Sequence, residues 1–387
     1  MKQLSSLLAI AAMLIGTGCS DSKDVEKPAE LVDLKPSLKV ERLWSYGFGG
    51  DAERLRLGLR ATTADGVAYA AGYNGEIVAL ALETGRKLWS VKTKLDLSAG
   101  PGVGGTGDGA VVIVGASDGI VLALDAKTGK ERWRHQVSSE VLAPPVVVDD
   151  VVIIRTVDGR VVALSADNAA SRWSFEQSVP RLSLRGNASP VVAGDSVIAA
   201  FDNGRVVSVE LKTGDTQWDT AISTPTGRSE LDRMVDIDAP VRVVGDDVFV
   251  VSFQGRVAML ARDSGQIWWA RDFSSYRGLA VEGNSLFATN AEGVVIAMRR
   301  TDGSVTWEQS AMRLRALTGP TLDGTSLVVG DYEGYLHWLS SIDGALLARA
   351  STDGERITNA PVVADGRVLV QTDGGKLIAF KTTAKGS

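Results

Sequence analysis

The chain has 387 residues, with 41 basic and 47 acidic side chains, two histidines, one cysteine and a formal net charge of −6. This mild acidic balance, with no basic cluster, excludes the electrostatic footprint that nucleic acid rewards. A single thiol excludes a disulfide within the chain and a cysteine-based metal centre.

At the N-terminus, Lys2, the apolar run LLAIAAMLIG (7–16) and the small residues GTGCS (16–20) follow the order of a charged, an apolar and a processing region. The segment resembles a bacterial lipoprotein signal, which implies removal of residues 1–18 and lipidation of Cys19. No later stretch is apolar for long enough to span a bilayer, so membrane contact is expected only through this end. Residues 19–40 are polar, carry Pro28 and Pro36, and read as the lipidated cysteine followed by a flexible tether. Fully extended, such a tether reaches ~70 Å.

From residue 41 a repeat governs the chain. One word is a polar residue, Gly and a short apolar strand: NGEIVAL (74–80), DGIVLAL (118–124), DGRVVAL (158–164) and NGRVVSV (203–209). It recurs as QGRVAML (254–260), EGVVIAM (292–298), EGYLHWL (333–339) and GGKLIAF (374–380), eight copies in all. A second word follows each copy but the last: a turn, then Trp four residues after its Gly, at Trp89, Trp133, Trp173, Trp218, Trp269 and Trp307. Ala169 replaces the Gly before Trp173, and Ala348 replaces the Trp itself. An additional Trp strand, ERLWSY (41–46), precedes the first unit, while the chain ends without one after Phe380.

Spacings of 38 to 51 residues between these Trp positions accommodate four short strands each, the size of a propeller blade. Gly suits the left-handed turns, and apolar runs on both faces suit sheets packed between neighbouring sheets. The expected fold is all-β: an eight-bladed β-propeller over 41–381, closed by the N-terminal strand, with 382–387 as a tail. The tryptophans read as core, one per blade. Trp338 stands where most copies have Ala, in the strand just before Ala348, so large and small side chains are expected to have exchanged places on adjacent strands.

Catalytic motifs are scarce. GPGVGG (100–105) formally satisfies G-x-G-x-x-G, but the β-like AVVIVG that follows offers no helix N-terminus for a pyrophosphate. His135 and His337 lack the clustered Cys/His/Asp spacing of a metal site and read as structural. DRMVDID (232–238) holds several carboxylates without EF-hand spacing, and divides between a solvated surface and a binding role. No cofactor, metal or catalytic residue is expected.

Two connections are unusual. PRLSLRGNASPVV (180–192) follows the Trp173 strand, and TAISTPTGRSELDRMVDIDAP (220–240), in the longest interval, follows the Trp218 strand. Both run from an outer strand to the next inner strand, so they are expected side by side on one propeller face. Leucines, an arginine and two aspartates there form a candidate protein-binding patch.

The words RLSLRG (181–186), DNGRV (202–206), ELDR with DID, and GDYEGYLHWL (330–339) resemble the BamB family of outer-membrane assembly lipoproteins, over the chain from the signal to about residue 381. That resemblance implies a non-catalytic scaffold of the β-barrel assembly machinery that binds the periplasmic POTRA domains of BamA. It also implies the other subunits of the complex as partners, with nascent barrel proteins as a further candidate. Carried over, the BamA-binding residues are Leu182, Leu184, Arg185, Asp236 and Asp238. The implied location is the periplasmic face of the outer membrane, held by the lipid on Cys19. The generic Gly and Trp words are also similar to the repeats of quinoprotein dehydrogenases, so an enzyme dependent on pyrroloquinoline quinone is the alternative.

Overall fold

Each repeat becomes one twisted antiparallel sheet. A computed structural model describes residues 26–48, 57–186 and 188–385. The signal segment and Cys19 lie outside the described residues. Eight sheets follow one another, and in seven of them the strands pair in chain order. Blade 1, for example, runs Thr62–Ala64, Val67–Ala71, Glu76–Ala81 and Lys87–Lys92. The eighth blade takes Val362–Ala364, Arg367–Gln371 and Lys376–Ala384 from the C-terminal end and Leu38–Gly47 from the N-terminal end. The latter two pair antiparallel from Leu38↔Ala384 to Gly47↔Lys376. Ring closure by the N-terminal strand is therefore as expected, but the propeller's outermost pair starts at Leu38 and reaches Ala384, three residues beyond each expected boundary.

The core lies between blades. Eight clusters of buried apolar side chains are present among the described residues, each built from two adjacent sheets, and together they cover every junction of the ring. At seven junctions a tryptophan also crosses. Its indole Nε1–H donates to a carbonyl of the next blade: Trp44 to Leu82 (3.0 Å), Trp89 to Ala126 (2.9 Å), Trp133 to Ala166 (2.7 Å) and Trp173 to Leu211 (2.8 Å). Trp218 to Arg262 (2.8 Å), Trp269 to Arg300 (2.9 Å) and Trp307 to Ser341 (3.2 Å) continue the series. Each ring buries a large apolar area while its polar edge finds an acceptor, which is how indole is best used in a core.

The turn glycine has a double task in this arrangement. Gly129 has φ +72°, and a Cβ there would lie 2.7 Å from the Trp89 ring. At the equivalent place in blade 3, Ala169 holds φ +59° against the Trp133 cluster, a left-handed residue with a methyl group.

The seventh junction is the exception foreseen from sequence. Trp338 pairs directly with Ala348 across adjacent strands and is fully buried. It meets Phe380 of blade 8 edge to face, with ring centroids 6.4 Å apart. Its Nε1–H donates to Asp323 Oδ2 (2.9 Å), which also accepts from Thr382 Oγ1 of blade 8 (2.9 Å). The junction keeps its aromatic mass and its polar clasp, both moved one strand inward.

The tether reading needs correction over residues 26–37. Ala29 N donates to Arg313 O (2.9 Å), Arg315 Nη1 to Ala29 O (3.1 Å), Arg349 Nη1 to Val32 O (3.1 Å), and Ser37 N to Leu347 O (2.8 Å). This segment is laid against blade 7 and the connection leading into it, with Arg315 and Arg349 satisfying two of its backbone carbonyls.

Candidate functional site

Three successive outer-to-inner connections interlock on one face: 137–145 from blade 2 to blade 3, 177–190 from blade 3 to blade 4, and 222–241 from blade 4 to blade 5. The middle one carries RLSLRG. Arg185 has φ +56°, a left-handed kink directly after Leu184. Gly186 follows because nothing larger fits: a Cβ there would lie 1.9 Å from Asp238 Oδ1.

The neighbouring connection fixes this kink. The Leu184 N–H donates to the Asp236 carboxylate. Arg155, the last residue of the blade 3 strand Val151–Arg155, donates through Nη1 to Gly186 O (3.3 Å) and is ion-paired with Asp202. Both members of that pair are almost fully buried, and the Arg155 guanidinium lies 5.6 Å from the centroid of the Phe201 ring. Burial lifts the Asp236 carboxyl to about 6. The Leu184 N–H and the Arg155 charge act against that rise, and the Asp202 charge adds to it.

The five predicted residues thus come together but divide into two groups. Leu182 is 38% exposed, Leu184 is half-buried, and Arg185 is exposed with its guanidinium paired to Glu140 of the 137–145 connection. Asp236 is 0% and Asp238 7% exposed. The aspartates lie deeper than the other three. Asp236 sits beneath the loop and holds its backbone, Asp238 backs Gly186, and the ion pair of Arg185 is made with Glu140. A solvated reading of DRMVDID fails as well, because Met234, Val235 and Ile237 are all buried.

Sequence reasoning missed Glu140, Arg155 and Asp202. A signal for Arg155 existed in the charge that ends the apolar run VVIIR, and Asp202 opens the word DNGRV. Leu231, within the 222–241 connection, was also missed; it is 65% exposed.

The other chemistry-bearing candidates are structural. His337 is fully buried, accepts from Arg349 Nε at Nδ1 (3.3 Å) and faces Asp331 Oδ2 through Nε2 (3.0 Å). Burial lowers its pKa, which leaves a neutral ring with the proton on Nε2. All but the last residue of GPGVGG lies in the blade 2 strand Leu97–Gly104, which also pairs in parallel with Gly58–Leu59, and no α-helix follows it that could hold a pyrophosphate. Among the described residues no group of three or more His, Cys, Asp or Glu could hold a metal ion.

Comparison with known proteins gives the same picture. The family model described as outer membrane protein assembly factor BamB matches residues 73–309 and 307–386. The outer membrane protein assembly factor BamB of Xanthomonas campestris pv. campestris is 37% identical, covering 97% of each chain. Its counterpart from Escherichia coli K12 is 34% identical over 98% of this chain and 99% of that one. The crystal structure of BamB from Moraxella catarrhalis superposes with a TM-score of 0.81 at 26% identity, over 89% of this chain and all of that one. A quinohemoprotein alcohol dehydrogenase from Comamonas testosteroni also superposes, with a TM-score of 0.69 at 16% identity, a likeness of fold alone. By full-length identity, family match and blade architecture, the chain belongs to the BamB family of outer membrane protein assembly factors.

Proposed function

We propose that the chain is a non-catalytic scaffold of the β-barrel assembly machinery, docked on the periplasmic POTRA domains of BamA. In this reading a lipid on Cys19 holds it at the periplasmic face of the outer membrane. The observation that carries the docking site is the mounting of the RLSLRG loop. Leu182 and Arg185 stand exposed on a kink whose backbone is held from beneath by Asp236 and Arg155. A loop fixed in this way loses little conformational entropy on binding, so its apolar and cationic groups are pre-organised for a partner. Leu182 and Leu231 offer apolar area, and Arg185 a planar donor fork for carboxylates or strand-edge carbonyls. In this division of labour Leu182, Leu184 and Arg185 touch the partner, while Asp236 and Asp238 shape the loop.

Titration of the full chain in detergent micelles with isolated POTRA domains tests this. Arg185→Ala is expected to cost ~2 kcal/mol, about thirtyfold in affinity, and Leu182→Ala somewhat less. Both variants should keep the wild-type circular dichroism and melting point. Wild-type affinity in both would refute the docking site. Dye-linked alcohol oxidation by the chain supplied with pyrroloquinoline quinone and Ca²⁺ would refute the non-catalytic reading.

A further inference from the structure

The propeller axis holds a cavity of about 500 Å³, to which every blade contributes its innermost strand or the connection leading into it. Among the described residues four arginines line it, Arg60, Arg185, Arg242 and Arg277, against one carboxylate, Asp238. Arg185 is accounted for by Glu140 at the rim. Two of the others stand out.

Arg242 opens the innermost strand of blade 5 and pairs with Phe249. The same register position is Thr62 in blade 1, Val146 in blade 3, Val191 in blade 4, Thr321 in blade 7 and Val362 in blade 8. A guanidinium has replaced a small neutral side chain at one point of an otherwise uncharged ring. Its Nε donates to Leu279 O (2.9 Å), and its Nη groups make no hydrogen bond or ion pair with a described residue. Arg60 precedes blade 1, and its side chain makes no hydrogen bond or ion pair with a described residue either. Desolvation pushes Arg60 down to about 10, with the Arg242 charge as the second cause. Two like charges thus face one cavity, with no carboxylate within ion-pair distance of either among the described residues. Arg60 is half-buried and Arg242 is exposed to the cavity, so the donor edges of both guanidinium groups are open to an occupant.

We propose that the axial cavity is a binding site for a small multivalent oxyanion, a polycarboxylate or a phosphorylated compound, held between Arg60 and Arg242. The cavity volume lies within the range of small-molecule sites and exceeds what one simple anion fills. Both guanidinium groups can donate charge-assisted pairs to separate acidic groups of one ligand. The docking loop supplies Leu184, Arg185 and Gly186 to the cavity wall, while Arg60 and Arg242 belong to other blades.

Calorimetric titration of the full chain in detergent micelles, at low ionic strength and in phosphate-free buffer, tests the proposal with pyrophosphate and with citrate. One saturable site per chain is expected for at least one of them, and the better ligand identifies the acidic group. Arg242→Gln and Arg60→Gln should each weaken binding about tenfold or more, while Arg172→Gln, which removes a surface pair with Asp150, leaves it unchanged. The ligand should raise the melting point of the wild type and not that of either cavity variant. Without ligand, Arg60→Gln should not melt below the wild type, because it removes a repulsion and breaks no side-chain hydrogen bond or ion pair among the described residues, whereas Arg242→Gln also gives up the hydrogen bond to Leu279 O. The proposal is overturned by no saturable binding of either anion, by wild-type affinity in both cavity variants, or by an equal loss in Arg172→Gln.

Discussion

Asp236→Asn separates a carboxylate that shapes the loop from one that serves as a charge. Burial is the largest influence on this group and lifts its pKa from the ordinary value of about 3.9 to about 6. A carboxyl whose folded pKa lies above its unfolded one adds stability while protonated. That contribution is complete below about pH 4 and is lost as pH rises through about 6. Roughly two pH units correspond to about 3 kcal/mol by linkage. Asn keeps the shape and an acceptor for the Leu184 N–H, although a neutral acceptor is weaker than a carboxylate. The stability difference between variant and wild type should therefore move in favour of Asn by roughly 1–3 kcal/mol between pH 4.5 and 7.5. Asp373, also raised to about 6 by burial, is present in both proteins and cancels in the difference. Urea midpoints with unchanged slope, measured at both pH values, read this directly. A difference independent of pH, or one that favours the wild type as pH rises, would show that the Leu184 N–H and Arg155 hold Asp236 as an anion, and the reasoning would fail.

Two further outcomes follow from the blade junctions. Trp338→Ala should cost ~3–5 kcal/mol through its cavity, and adding Ala348→Trp should restore part of that, since the two residues pair across adjacent strands; strictly additive urea midpoints would refute the exchange. Ala169→Gly should stabilise by ~0.5–1 kcal/mol, because relief of the left-handed Ala at φ +59° (about 1–2) exceeds the added freedom of Gly when unfolded (about 0.5–1); a destabilised variant would show that the methyl group's packing matters more than its backbone angle.

Much of the fold could be read from sequence because a propeller repeats its local chemistry. Gly, an apolar strand and Trp recur at fixed offsets, and each word folds beside its sequence neighbours, so period and count sufficed for the eight blades and their closure. What escaped depends on partners far along the chain. DRMVDID has the composition of a surface, yet its second half is interior, where Leu184, 52 residues earlier, brings a backbone donor to Asp236 and Ile237 joins the cluster between blades 4 and 5. Glu140 meets Arg185 across 45 residues, and no periodic signal joins them. Residues 26–37 look like linker, with their charges and prolines. They are ordered mainly through their backbone: Arg315 and Arg349 donate to the carbonyls of Ala29 and Val32, and the Ala29 N–H donates to Arg313 O, contacts that leave little mark on side-chain pattern.

The pairing of Leu38–Gly47 with Lys376–Ala384 imposes an order on folding. Blades 1 to 7 are meanders of neighbouring segments and can form as the chain lengthens, whereas this strand waits for a partner more than 300 residues away. Until that partner arrives, two sheet edges and the apolar faces of the junction between blades 8 and 1 remain open to other chains. The last step of folding therefore seals the ring and removes the most aggregation-prone surface together.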